Sequence, residues 1–112
     1  MSLREKQSRF AGMVARLIIR AGELGYEVTL GEAYRTPEQA AANAAKGTGI
    51  AQSLHCDRLA IDLHLFLNGT YLTATEAHRP LGEWWESIGG SWGGRFSRPD
   101  GNHYSLEHEG RK

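Results

Sequence analysis

Apolar residues recur at Phe10, Val14, Leu17, Ile18, Ala21 and Leu24, with charged and small residues between them. That spacing traces one face of an α-helix and predicts a helix from Arg4 to about Leu24, stopped by Gly25. Tyr26 to Leu30 then alternates around β-branched Val28 and Thr29, the pattern of a short strand, so Arg35 in the following GEAYRT lies just past it. Thr36 and Pro37 supply an N-cap and a first-turn proline for an alanine-rich helix running to about Lys46, ahead of a Gly-Thr-Gly loop. Leu59 to Phe66 alternates again, Asn68-Gly69 supplies a hairpin turn, and Thr70 to Leu72 is the returning strand. Side chains alternate along a strand, so Asp62 and His64 fall on one face. A third helix is expected from Thr75 to Ile88, with Leu81, Trp84, Trp85 and Ile88 as its apolar stripe. The glycine-rich GGSWGGRFSRPDG reads as loop, and HYSLEH as extended chain. The sum is α+β: a small single domain, residues 1–112, with a central antiparallel sheet flanked by about three helices.

Composition narrows the class. With 40% apolar and 23% charged residues the chain can bury a core, which excludes a disordered protein. Thirteen basic residues balance thirteen acidic ones, so no overall field draws it to nucleic acid, and no nucleic-acid partner is expected. The N-terminal MSLREKQSRF lacks the apolar core of a signal peptide, and no stretch approaches the roughly 20 apolar residues of a membrane span. Synthesis in the cytoplasm, no stable membrane insertion and a monomeric state are the expectations. Cys56 is the single cysteine, so an internal disulfide is excluded, and any metal must be held by histidines and carboxylates.

The histidines fall at 55, 64, 78, 103 and 108. His78 sits among helix residues that look exposed and is set aside as surface or structural. His55 lies in the loop feeding the strand that carries Asp62, and such a loop can fold the imidazole back beside the carboxylate. With His103 added, two histidines and one carboxylate leave a coordination position open, the arrangement of catalytic zinc. Spacing alone still favours a plainer alternative, a polar loop and a solvated aspartate, because no helical i, i+4 pair forces the groups together. Asp100-Gly101-Asn102 makes a tight turn just before His103. A catalytic role for Asp100 therefore depends on His103 being a ligand. His64 is placed to support Asp62 or to line a cleft, and structural support is an equal alternative. Trp84 and Trp85 read as core, Trp92 in the glycine loop as a cleft residue touching substrate, and Cys56 as incidental.

The string SLHCDRLAIDLHLF, with Ser53-x-His55 and Ala60-x-Asp62, followed in order by DGNHYS from Asp100 to Ser105, resembles the M15 group of zinc peptidases. That group includes D-Ala-D-Ala dipeptidases and carboxypeptidases and phage L-alanyl-D-glutamate endolysins. The resemblance runs from Tyr34-Arg35-Thr36 to the end of the HYSLEH segment. It implies Zn2+ on the sheet, held by His55, Asp62 and His103, with Asp100 as general acid and base. It further implies that Arg35 polarises the scissile carbonyl or binds a substrate carboxylate, that Ser53 hydrogen-bonds substrate, and that the partner is the peptidoglycan stem peptide at the bacterial cell wall.

Two departures matter. Many members carry glycine three residues after the first histidine, where this chain has Arg58, so the loop is expected to do without a residue free to adopt positive φ. Asp100-x-x-His103 replaces the Glu-x-x-His usual in the dipeptidase and carboxypeptidase branches, which points to the endolysin branch and the L-Ala-D-Glu bond. Two alternatives stay open. One is a D,D-carboxypeptidase or dipeptidase acting on D-Ala termini. The other is a non-catalytic zinc-stabilised wall-binding or phage structural module, which a fourth ligand from His64 or His108 would favour.

Overall fold

The first helix, α1 (Leu3–Glu23), starts on a reciprocal cap: the Ser2 hydroxyl accepts the Glu5 amide and the Glu5 carboxylate accepts the Ser2 amide. Its buried stripe is Phe10, Met13, Leu17 and Ala21. The computed structural model describes residues 1–50 and 52–112. After α1 come β1 (Glu27–Leu30), α2 (Pro37–Ala45), β2 (Ala60–Leu67), β3 (Thr70–Leu72), α3 (Arg79–Ser87), β4 (Ser91–Trp92) and β5 (His103–Ser105), with short 3-10 turns at Leu54–Asp57, Thr75–His78 and Gly93–Arg95. Helix α2 begins as expected, with the Thr36 hydroxyl accepting the Gln39 amide and Pro37 in the first turn. The Asn68-Gly69 turn has positive φ at both residues, 51° and 79°, as a tight two-residue hairpin requires.

All pairings in the five-stranded sheet are antiparallel, in the order β1-β2-β5-β4, with β3 also on β2. The long strand β2 organises it. β1 runs along one edge, while β3 pairs with residues 65–67 and β5 with residues 60–62 on the other. Alternation on β2 sends Ile61, Leu63 and Leu65 into the core beneath α1 and α3, and turns Asp62, His64 and Phe66 to the opposite, half-buried face. On the core side Phe10 meets Trp85 edge to face at 5.9 Å. The Trp85 indole N–H is shared between the carbonyls of Ser91 and Ser105 at 3.1 and 2.9 Å, which ties α3 to β4 and β5.

Three expectations need correction. The helix foreseen from Thr75 to Ile88 is a 3-10 turn followed by α3, and Pro80, which has no N–H to give, sits in the first turn of α3 where none is needed. The glycine-rich segment is not all loop, because Ser91 and Trp92 pair with β5. Arg58 itself adopts the left-handed conformation, φ 57°, at the end of the Leu54–Asp57 turn. That backbone costs roughly 1–2 kcal/mol in a residue with a Cβ, and the Arg58 guanidinium lies 4.0 Å from the Tyr34 ring centroid, a contact that offsets part of it.

Candidate metal centre

Ser53 starts the site. Its hydroxyl accepts the His55 amide at 3.1 Å and so caps the 3-10 turn that carries His55. The His55 ring is then fixed from behind: Nδ1 lies 3.2 Å from the Ala33 carbonyl, which accepts its proton and leaves the Nε2 lone pair facing Asp62. Nε2 stands 3.3 Å from Asp62 Oδ1. Asp62 and His103 are directly opposite in the β2/β5 register, with His103 Nδ1 at 3.7 Å from the same oxygen. The two imidazoles are nearly perpendicular at 5.2 Å. One ligand atom from each residue lies within 4.8 Å of the others, a group that could hold a metal ion, and among the described residues no other such group of three occurs.

The donors fit a cation. Asp62 Oδ1 is buried and accepts no hydrogen bond, since the imidazoles approach it without hydrogen-bond alignment. A buried anionic oxygen with no donor is costly unless a positive charge completes it. Burial opposes ionisation of Asp62, yet His103 and His55 together drag its pKa far below the ordinary carboxylate range. For His55, burial opposes the charged ring, but Asp62 outweighs it and the net shift is upward.

A cleft of about 220 Å³ opens over this group, and Arg35, Ser53 and Asp100 border it together with His55, Asp62 and His103. The Arg35 guanidinium is gripped by Glu32, with Nε 2.8 Å from the carboxylate, and the Arg35 amide donates to the His55 carbonyl at 3.2 Å. Asp100 is set by the turn: its amide donates to Gly93 and its carbonyl accepts the His103 amide, at 2.9 and 3.1 Å. Gly93 has to be glycine, because a Cβ there would meet the Asp100 carbonyl at 2.2 Å and the His103 Cβ at 2.8 Å. Burial, and then repulsion from Asp62, raise the Asp100 carboxyl above its usual pKa.

Other candidates lie elsewhere. Trp92 does not touch the cleft as expected: it is 1% exposed, its indole N–H donates to the Gly101 carbonyl at 2.8 Å, and its ring fills the space left by Gly82 and Gly94. It braces the turn before His103 instead. His78 is not on the surface: it is 2% exposed, with Nδ1 2.8 Å from the Tyr104 hydroxyl. His64 engages the Tyr71 hydroxyl at 3.0 Å, and His108 engages Lys6 at 3.2 Å, so neither joins the metal group. Sequence reasoning missed Glu32, Ala33, Phe96 and Lys112. Of these only Glu32, three residues before Arg35, had a readable signal.

A family profile described as D-alanyl-D-alanine carboxypeptidase, of the M15 peptidases, matches residues 46–106, which contain the His-Asp-His group and Asp100. The chain belongs to the M15 peptidase family. As an M15 member it is a zinc metallopeptidase that acts on peptidoglycan, and Zn2+ is its cofactor. Its fold is shared with the Serratia marcescens L-Ala D-Glu endopeptidase ChiX, at TM-score 0.71 and 18% identity over 87% of this chain and 79% of that one. It is also shared with a mutant of the vancomycin-resistance D,D-pentapeptidase VanY from a VanB-type cassette, in complex with Zn(II), at TM-score 0.61 and 20% identity over 88% and 70%. No curated protein matches the M15 chain. Among its described residues no helix is long and apolar enough to cross a membrane.

Proposed function

We propose that this M15 peptidase is an endopeptidase cleaving the L-Ala-D-Glu bond of the peptidoglycan stem peptide, as a phage-type endolysin would, with His55, Asp62 and His103 as zinc ligands. The observation that carries it is the convergence of this trio with Asp100, Arg35 and Ser53 on one cleft. Zinc, when bound, supplies Lewis acidity for water activation and carbonyl polarisation. Asp100 takes the attacking water's proton and passes it to the leaving amine, and a carboxyl raised above its ordinary pKa is suited to both half-steps. Arg35, oriented by Glu32, faces the developing oxyanion or a substrate carboxylate. Ser53 holds the His55 turn and offers its hydroxyl proton to the substrate backbone. The Ala33 carbonyl keeps His55 in the tautomer whose Nε2 is free to ligate.

Two observations support the endopeptidase over a carboxypeptidase. The chain has Asp100-x-x-His103 where the resemblance implies Glu-x-x-His for a carboxypeptidase, and Asp100 lines a second cavity as well as the metal cleft, which gives space for a longer substrate. The family description favours the second reading, a D,D-carboxypeptidase. Mass spectrometry of purified peptidoglycan digested with the protein separates them: new L-Ala and D-Glu termini are expected, and release of D-Ala alone would overturn the endopeptidase.

A further inference from the structure

A second cavity of about 210 Å³ lies beside the metal cleft and shares Asp100 with it. It opens where β3 and β5 part company along the same edge of β2. Tyr71, Thr73, Thr75, His78 and Asn102 line it along with Asp100. The two cavities differ in charge: Arg35 and Lys112 border the metal cleft, whereas no lysine or arginine borders the second among the described residues. His78 adds no cation, because burial foremost, then the nearby His64, lowers its pKa to about 4. Leu72, Pro99 and Gly101 complete the lining, and its other polar side chains are hydroxyls and an amide around one carboxylate.

Tyr71 stands at the rim of this polar hollow and is 49% exposed. Its ring leans on Phe66, with centroids 5.2 Å apart, and its hydroxyl meets His64 Nδ1 at 3.0 Å. Both partners lie on the β2 face that also carries Asp62, roughly 13 Å of strand from Asp62 to Phe66. The ring is therefore held in place while its surface stays open. A fixed aromatic ring beside hydroxyls, an amide and a single carboxylate, with no cation, matches a neutral polyhydroxylated ring, whose C–H groups stack on the tyrosine while its hydroxyl and amide groups exchange hydrogen bonds with the wall.

We propose that this cavity is a sugar subsite, taking the N-acylated hexosamine of the glycan strand to which the stem peptide is joined, with Tyr71 as the stacking platform and Thr73 and Asn102 as hydrogen-bonding partners. It rests on the peptidoglycan-peptidase reading for the substrate's identity, and it sharpens that reading, because a sugar held next to Asp100 puts the scissile bond at the glycan-proximal end of the stem.

The test compares a muramyl-linked stem peptide with the same peptide N-acetylated in place of the sugar. The wild-type protein is expected to show a kcat/KM about tenfold or more higher for the sugar-bearing substrate, the effect of one stacking contact with a few hydrogen bonds. In Tyr71→Ala that ratio should fall toward one. Equal kcat/KM for both substrates in the wild type, or an unchanged ratio in Tyr71→Ala, would overturn the sugar subsite while leaving the peptidase intact. If neither substrate is cleaved, the peptidase reading is what has failed. The subsite is then judged by NMR titration of the full chain with the methyl glycoside of N-acetylglucosamine: shifts at Tyr71, Thr73 and Asn102 support it, and their absence at millimolar sugar refutes it.

Discussion

Acidification should destabilise this protein through His78, a residue outside the reacting group. The ring is 2% exposed, and its Nδ1 is 2.8 Å from the Tyr104 hydroxyl. Burial raises the Tyr104 phenol far above its ordinary pKa, so the partner of the ring is an uncharged hydroxyl that offers no negative charge to stabilise an imidazolium. Burial also lowers the His78 pKa from 6.5 to about 4. Between those values the unfolded chain binds the proton and the folded one does not, so the stabilisation is whole above pH 6.5 and is lost as pH falls toward 4. At 1.36 kcal/mol per unit, the loss between pH 7.5 and 5 comes to about 2 kcal/mol, a large part of a small domain's stability.

His55 and Asp62 titrate as well, so the measurement has to be a difference. Urea unfolding of the wild type and His78→Gln at pH 7.5 and 5, with a chelator present to remove metal linkage, isolates the His78 contribution. Gln can still pair with the Tyr104 hydroxyl but does not ionise. The wild type should lose about 2 kcal/mol more than the variant across this interval. Parallel losses in the two proteins would refute the reasoning. Should the variant fail to fold, NMR titration of the wild-type ring decides it, and a His78 pKa near 6.5 would be equally fatal.

Asp100→Asn should keep bound zinc, measured by atomic absorption, and lose about 10²–10⁴-fold in turnover of a muropeptide; near-full activity would remove Asp100 from catalysis. Chelation should lower the thermal midpoint, and restoring zinc to 100 times its dissociation constant should return roughly 2.7 kcal/mol; a midpoint indifferent to zinc would contradict the orphaned Asp62 oxygen as a cation site. Zinc affinity should fall with acidity, because His55 must give up a proton held above its ordinary pKa; calorimetry in buffers of different ionisation enthalpy reads the protons released. Gly93→Ala should weaken zinc binding and destabilise the fold by about 1–3 kcal/mol through the contact with the Asp100 carbonyl; wild-type affinity and stability would show that the turn yields more easily than its geometry implies.

The elements legible in the sequence are those set by neighbours in the chain. The face of α1, the Thr36-Pro37 start of α2 and the Asn68-Gly69 hairpin each follow from side chains and backbone preferences a few residues apart. The period of β2 likewise placed Asp62 and His64 together on one face. The His55-Asp62-His103 group, which could hold a metal ion, was readable only through the paired motifs, because nothing local brings His103 to Asp62.

What the tertiary structure alone decided depends on contacts between distant segments. The β2/β5 register sets His103 opposite Asp62, and the Ala33 carbonyl orients His55. Trp92 read as a cleft residue because glycines surround it, and His78 sat among residues that looked exposed, yet both are buried. Glycines at 82 and 94 leave a slot that the Trp92 ring fills, and Tyr104 arrives from β5 to satisfy His78. Local pattern reports how a residue sits on its own helix or strand. Which face that element presents to the rest of the chain, and so which histidine meets a carboxylate and which meets the core, is fixed only when non-local strand pairing brings the segments together.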